Sequence, residues 1–96
     1  NTTHIMAWGA VECLFQGIGR VLEPDGLFCL YGPFNYGGLY TSPSNATFDR
    51  WLRSRDPASG LRDFDDISRL ADVNRLDLVE DCPMPVNNRT LVWVRR

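Results

Sequence analysis

The chain carries one histidine and a small set of tyrosine and amide side chains whose spacing lets them act together. His4 is a candidate general base, because an imidazole titrates near neutrality. The competing reading is a histidine that bonds to backbone and shapes a turn. Tyr31 closes the apolar run Leu27-Phe-Cys-Leu-Tyr31 and is followed by Gly32-Pro33, which stops it. At the carboxyl end of a strand in an open α/β sheet, side chains face the ligand crevice. Tyr31 is therefore a candidate to orient a nucleophile or stack on a planar substrate. A core tyrosine with a satisfied hydroxyl fits equally well. Tyr36 and Tyr40 are the aromatic contacts of a polar loop. Asn87 and Asn88 have turn chemistry, and paired amides at a sheet edge can also read a substrate, which makes Asn87 a candidate binding residue. Asn45, Asp49 and Arg53 recur every fourth residue and share one helix face, with Asp49 and Arg53 forming an i,i+4 pair.

Other chemistries are excluded by what the chain lacks. All 10 basic residues are arginine, so there is no lysine for a Schiff base. Cys13, Cys29 and Cys82 are odd in number and far apart, which fits neither a disulfide framework nor zinc spacing. They read as buried free thiols in a reducing, cytoplasmic setting. One histidine and dispersed carboxylates make no metal site. There is no phosphate-binding loop, nucleophile elbow or zincin motif. A formal charge of −2 gives no electrostatic footprint for nucleic acid. No apolar run approaches membrane-spanning length, and no secretory signal is visible.

The elements that must position these residues can be read from period and punctuation. Ninety-six residues suit one small domain with a thin core. Residues 7–22 have helical spacing, with Val11, Leu14, Phe15, Ile18, Val21 and Leu22 on the buried side. Gly17 and Gly19 weaken that helix but let it lie close on a sheet. Pro24-Asp25-Gly26 is a turn, and residues 27–31 are a strand covered on both faces. A loop follows to Ser44. Ser42 caps a helix with Pro43 at its first position, running to about Arg55. Asp63 caps the next helix, with Asp66 as the partner of a capping box, ending near Asn74. Arg55, Asp56, Arg62 and Asp63 form an ion-pair and capping cluster. Residues 76–84 and 90–94 are strands joined by Pro85 to Asn88.

Two final strands with no helix between them make an antiparallel hairpin. A parallel sheet finished in this way is the topology of Rossmann-like methyltransferases that use S-adenosylmethionine. More specifically, the chain resembles a family of uncharacterised methyltransferase-like proteins, the domain of unknown function numbered 938. The resemblance rests on Asn1 with His4-Ile5, Tyr31-Gly-Pro33, Pro43-Ser-Asn45, Phe48-Asp49, Leu52-Arg53, Arg55-Asp56-Pro57, Gly60-Leu-Arg-Asp63, Met84-Pro85 and Asn87-Asn88, in order over nearly the whole chain. Thr2-Thr3 and Arg75 depart from it; Arg75 replaces a helix-ending glycine, leaving Asn74 to supply the left-handed cap.

The resemblance implies an α/β fold. It would be the C-terminal half of a Rossmann-like methyltransferase, with about three strands and three helices. Residues 1–96 would form a single partial domain without the glycine-rich cofactor loop. The implied function is the substrate-side half of a methyltransferase moving a methyl from S-adenosylmethionine to a small acceptor. His4 and Tyr31 would be catalytic, Asn1 would touch the cofactor, and Asn45 would sit on a lid helix and contact the substrate. The alternative is a non-catalytic interaction or oligomerisation module. A strand without its parallel neighbour invites pairing, so a homo-oligomer, most simply a dimer, is expected.

Overall fold

The structure, a computed structural model, describes residues 2–96. A single 3-10 turn, Thr3–Ile5, leads into helix α1, Trp8–Val21. Strand β1 is Leu27–Gly32, and the two-residue strand β2 is Phe34–Asn35. Helix α2, Pro43–Arg55, begins as its sequence demands: the Ser42 hydroxyl accepts from the Asn45 amide at 3.1 Å, and Pro43 needs no partner at the first position. Strand β3, Arg62–Asp63, runs straight into helix α3, Phe64–Val73, which Asp63 caps by accepting from the Asp65 amide at 2.9 Å. Strands β4, Leu76–Met84, and β5, Asn88–Arg95, close the chain.

Three strands form one sheet in the order β1-β5-β4, with every pairing antiparallel. The last strand is thus the central one, placed between β1 and β4. A bulge between Leu78 and Glu80 shifts the β4–β5 register. The only parallel pairing among the described residues is β2 with β3, Phe34 opposite Arg62. It ties the turn beyond β1 to the start of α3. The core lies on one face of the sheet, under α1 and α3. Phe15, Phe28 and Trp93 meet there with ring centroids 5.6–5.7 Å apart. Val11, Leu30, Ile67, Leu76 and Leu91 complete it.

Several expectations change in three dimensions. β1 is covered on one face only: Leu30 is buried, whereas Leu27 is 61% exposed and Tyr31 37% exposed. An apolar strand does not reveal which faces neighbours cover. For the same reason Cys29 is an exposed free thiol; Cys13, on α1, is exposed too, and Cys82 is half-buried. Val21 is exposed, because a stripe extended ten residues from Val11 drifts off the helix face. Gly19, not the Gly17–Gly19 pair, makes the close approach, and it does so to another helix end: a Cβ there would meet the Asn74 carbonyl at 2.6 Å, while Gly17 faces open space. Arg75 itself takes the left-handed cap at φ 66°, and Asn74 instead bonds the Leu70 carbonyl through its side chain at 2.8 Å. Asp66 pairs with Arg69 rather than closing a capping box.

The charges around the 55–63 turn cap backbone but do not pair with one another. Asp56 accepts from the Ala58 amide, and Arg62 donates to the carbonyls of Thr3, Met6 and Ala58. Arg55 lies over the Trp51 ring.

Candidate functional site

Four segments meet at a groove of about 380 Å³: the Thr3–Ile5 turn, the residue after β1, the first turns of α2, and the hairpin tip between β4 and β5. Pro33, Phe48 and Val86 supply its apolar surface, and His4, Ser44, Asn45 and Asn88 its polar groups. None of these carries a formal charge at neutral pH. His4 is only 6% exposed, and burial pushes its imidazole below the ordinary value of 6.5, so it is neutral. Its ring packs against Phe48 at 5.7 Å, and its backbone carbonyl accepts from the Gly60 amide at 2.9 Å. The His4 backbone thus takes part in a turn contact, while its imidazole lines the groove.

Asn45 is 5% exposed. Its amide nitrogen donates to the Thr41 hydroxyl at 3.0 Å and to the Asn87 carbonyl at 3.5 Å. The hairpin tip is held in return by Asn87, whose Nδ2 donates to the Ser44 hydroxyl at 3.2 Å. Asn88 donates to the Tyr31 hydroxyl at 3.1 Å and to the Pro85 carbonyl at 3.3 Å. The tip turns through two left-handed residues, Val86 at φ 61° and Asn87 at φ 59°. This is the geometry of a two-residue hairpin turn, and it is costly for a β-branched valine.

Asp49 fixes α2 in this arrangement. It is 2% exposed and accepts from the Tyr40 hydroxyl at 2.5 Å, the Leu61 amide at 2.9 Å and Arg53 at 3.1 Å. Burial acts to raise its pKa, but these three donors outweigh burial and hold the carboxyl below its usual value. The bond to Asp49 in turn raises the Tyr40 pKa. The Asn45–Asp49 face of α2 is therefore buried rather than solvated.

The structure brings His4 and Asn45 together at the groove. Asn87 stands behind them as a brace, and Tyr31 reaches the rim through Asn88. Tyr36 is elsewhere: it donates to Asp81 at 2.9 Å, stacks on Phe64 at 5.1 Å and lies under Arg89. Burial, then the Asp81 carboxylate, push its pKa up to about 12, with Arg89 opposing. A tyrosine so engaged serves packing, because the register of β4 carries Asp81 to it from 45 residues away. Asn1 lies outside the described residues. Phe48, Val86 and Asn88 are groove residues that the candidate set lacked. Phe48 was legible, standing three residues from Asn45 on the same helix face.

A larger depression of about 710 Å³ opens beside Trp8, Asn35 and the start of α3. All its charges but Asp65 are already in use: Arg53 with Asp49, Arg69 with Asp66, Arg62 on carbonyls, and Asp63 on the Gly38 and Asp65 amides. The smaller groove is therefore the better candidate. No cluster of metal-ligating side chains occurs among the described residues, and none of their helices is long and apolar enough to cross a membrane. Nor do they build a cradle for S-adenosylmethionine. Gly37 and Gly38 form the one glycine pair, and both face open space in a turn that opens no helix.

Solved proteins share this fold. An O-methyltransferase family 2 protein from Planctomyces limnophilus, in complex with apigenin, matches with a TM-score of 0.89 at 12% identity, over 100% of this chain and 29% of that one. Human N-acetylserotonin methyltransferase, in complex with SAM, matches with a TM-score of 0.80 at 12% identity, over 99% and 27%. The pyocyanin biosynthetic protein PhzM matches with a TM-score of 0.77 at 14% identity, over 100% and 28%. The chain thus spans less than a third of the length of these proteins, and its α/β fold is that of a methyltransferase C-terminal portion. Residues 1–95 match one family throughout, and the chain belongs to it: the family described as Protein of unknown function (DUF938).

Proposed function

We propose that this chain is the substrate-side portion of an S-adenosylmethionine-dependent methyltransferase acting on a small acceptor. The observation that carries the reading is the uncharged groove in which a buried, neutral His4 stands beside Asn45 and Asn88 on a fold shared with methyltransferases. His4 accepts the proton that the acceptor loses. Asn45 orients the acceptor, and alignment with the methyl supplies most of the rate. Tyr31 positions Asn88 through its hydroxyl. S-adenosylmethionine supplies the methyl; it would be held by groups beyond the described residues, with Asn1 among its contacts. The free thiols fit a cytoplasmic setting.

Calorimetric titration of the folded chain with S-adenosylhomocysteine tests this reading. Saturable heat would mean that copies of this chain complete the cofactor site between them, and would carry the enzyme reading. Its absence from a chain that circular dichroism shows to be folded would show that this chain alone is not the methyltransferase, and would favour the second reading below.

A second reading is favoured by β1. Among the described residues it has a ladder partner on one side only, and it exposes Leu27, Cys29 and Tyr31. An open apolar edge of this kind suits an oligomerisation module.

A further inference from the structure

The amide side chains of the groove lining turn their acceptors, not their donors, toward it. The Asn45 side chain uses its Nδ2 for both of its described bonds, to Thr41 Oγ1 and the Asn87 carbonyl. Asn88 likewise uses Nδ2 for both of its bonds, to the Tyr31 hydroxyl and the Pro85 carbonyl. Main-chain carbonyls only accept, so Asn87 and Pro85 fix which end of each amide faces away from the groove. Neither Oδ1 has a described donor. Neither is among the fully buried atoms without a partner, which are Asn35 Oδ1 and Ser68 Oγ, so both keep accessible surface. The neutral His4 ring has no described hydrogen bond either; one of its nitrogens is a third acceptor and the other, with the Ser44 hydroxyl, a donor. No lining residue is a cation. Pro33, Phe48 and Val86 leave an apolar floor.

Resting on the methyltransferase reading for its location only, we propose that the groove selects an uncharged, flat ligand bearing at least two O–H or N–H donors, and rejects carboxylates and other anions. Asn45 and Asn88 are its specificity residues. A donor-bearing ring satisfies the two amide oxygens and the imidazole and covers the apolar floor. An anion finds only the His4 N–H and the Ser44 hydroxyl as donors, faces the two amide oxygens, and loses its hydration with no cation to replace it. A ring whose donors are blocked leaves the buried acceptors unpaired, the costlier arrangement of the two neutral cases.

The test is a panel of three probes on one ring: resorcinol with two donors, 1,3-dimethoxybenzene with none, and isophthalate with two carboxylates. Binding is followed by chemical-shift changes of the His4 ring and of the Asn45 and Asn88 side-chain amides. Resorcinol is expected to bind at least about tenfold more tightly than dimethoxybenzene, the factor one net hydrogen bond supplies, and isophthalate is not expected to move these signals. The variant Asn88→Leu, on the solvent side of the groove, should lose that preference by about tenfold while keeping its dispersion of amide signals. Equal binding of resorcinol and dimethoxybenzene, tighter binding of isophthalate, or no binding by any probe each overturns the proposal. Donor selectivity without S-adenosylhomocysteine binding would keep the proposal and remove the reading of this chain alone as a methyltransferase. Methyl transfer to a carboxylate would do the reverse.

Discussion

At the residue scale, His4 and Asp49 are ionisable groups that folding has moved in the same direction for different reasons. Burial disfavours the imidazolium of His4, so its folded pKa lies below its unfolded value of 6.5. The unfolded chain then binds the proton first as the solution acidifies. His4 therefore costs the fold nothing above pH 6.5, and stability falls as pH drops below that value. Replacing it by the smaller, non-titrating residue in His4→Asn should flatten this slope; urea unfolding between about pH 5 and 8 measures it. An unchanged slope would mean that the ring is not buried as described. Asp49 is held down by its donors, so its contribution is present above its unfolded value of 3.8 and is lost only as pH falls through and below it. The His4 dependence sets in below pH 6.5 and that of Asp49 only near and below 3.8, so one titration of stability separates the onset of the two.

At the element scale, the buried face of α2 decides whether the groove exists. Asp49 joins α2 to the loop through Tyr40 and to the segment before β3 through the Leu61 amide. Asp49→Ala leaves that buried amide and the tyrosine hydroxyl without acceptors, at a cost of about 2–3 kcal/mol in unfolding free energy. The same variant should broaden the Asn45 side-chain signals, because α2 is no longer anchored one turn further on. A loss below about 0.5 kcal/mol, the range of ordinary surface changes, would show that the bonds carry little. The cap of α3 gives a prediction of opposite sign. Arg75 is a non-glycine residue at φ 66°. Arg75→Gly relieves left-handed strain and gives back some chain entropy, for a net gain of up to about 1 kcal/mol. Thermal unfolding reads the gain as a higher midpoint, and a lower midpoint would assign the Arg75 side chain a stabilising contact that outweighs its backbone.

At the scale of the whole molecule, the sheet is unfinished on one side. β1 pairs with β5 alone among the described residues, and its outward face runs Leu27, Cys29, Tyr31 beside Val94, Val92 and Thr90. Edges of this kind are blunted in free-standing sheets by charge, proline or a bulge, and β1 has none of these. The bulge lies in β4, on the opposite edge. The chain is expected to self-associate through β1, and Leu27→Lys with Cys29→Lys is expected to give a monomer with unchanged helix content. Light scattering across the micromolar range decides: a monomeric parent chain would show that the edge is not used in this way.

The sequence by itself determined the local structure. Proline, glycine, the Ser42 and Asp63 caps and the apolar periods set three helices, the strand Leu27–Gly32 and the final hairpin within a residue or two, because these signals act between neighbours in the chain. The family resemblance was legible for the same reason, since its motifs are short and sit at turns and caps. What the tertiary structure alone decided was which distant residues meet. Nothing in the spacing of Tyr36 announces Asp81, nor does that of Asn45 announce Asn87, because these bonds join positions 45 and 42 residues apart through the sheet register and the packing of α2. Nor could an apolar strand declare which of its faces would be covered. Tyr36 was thus expected in the site and is found under Arg89, while of the amide pair Asn87 was the candidate and Asn88 is the one that lines the groove. Side-chain type fixes what chemistry is possible, but the neighbours that orient a group and exclude water from it are assembled only by long-range packing.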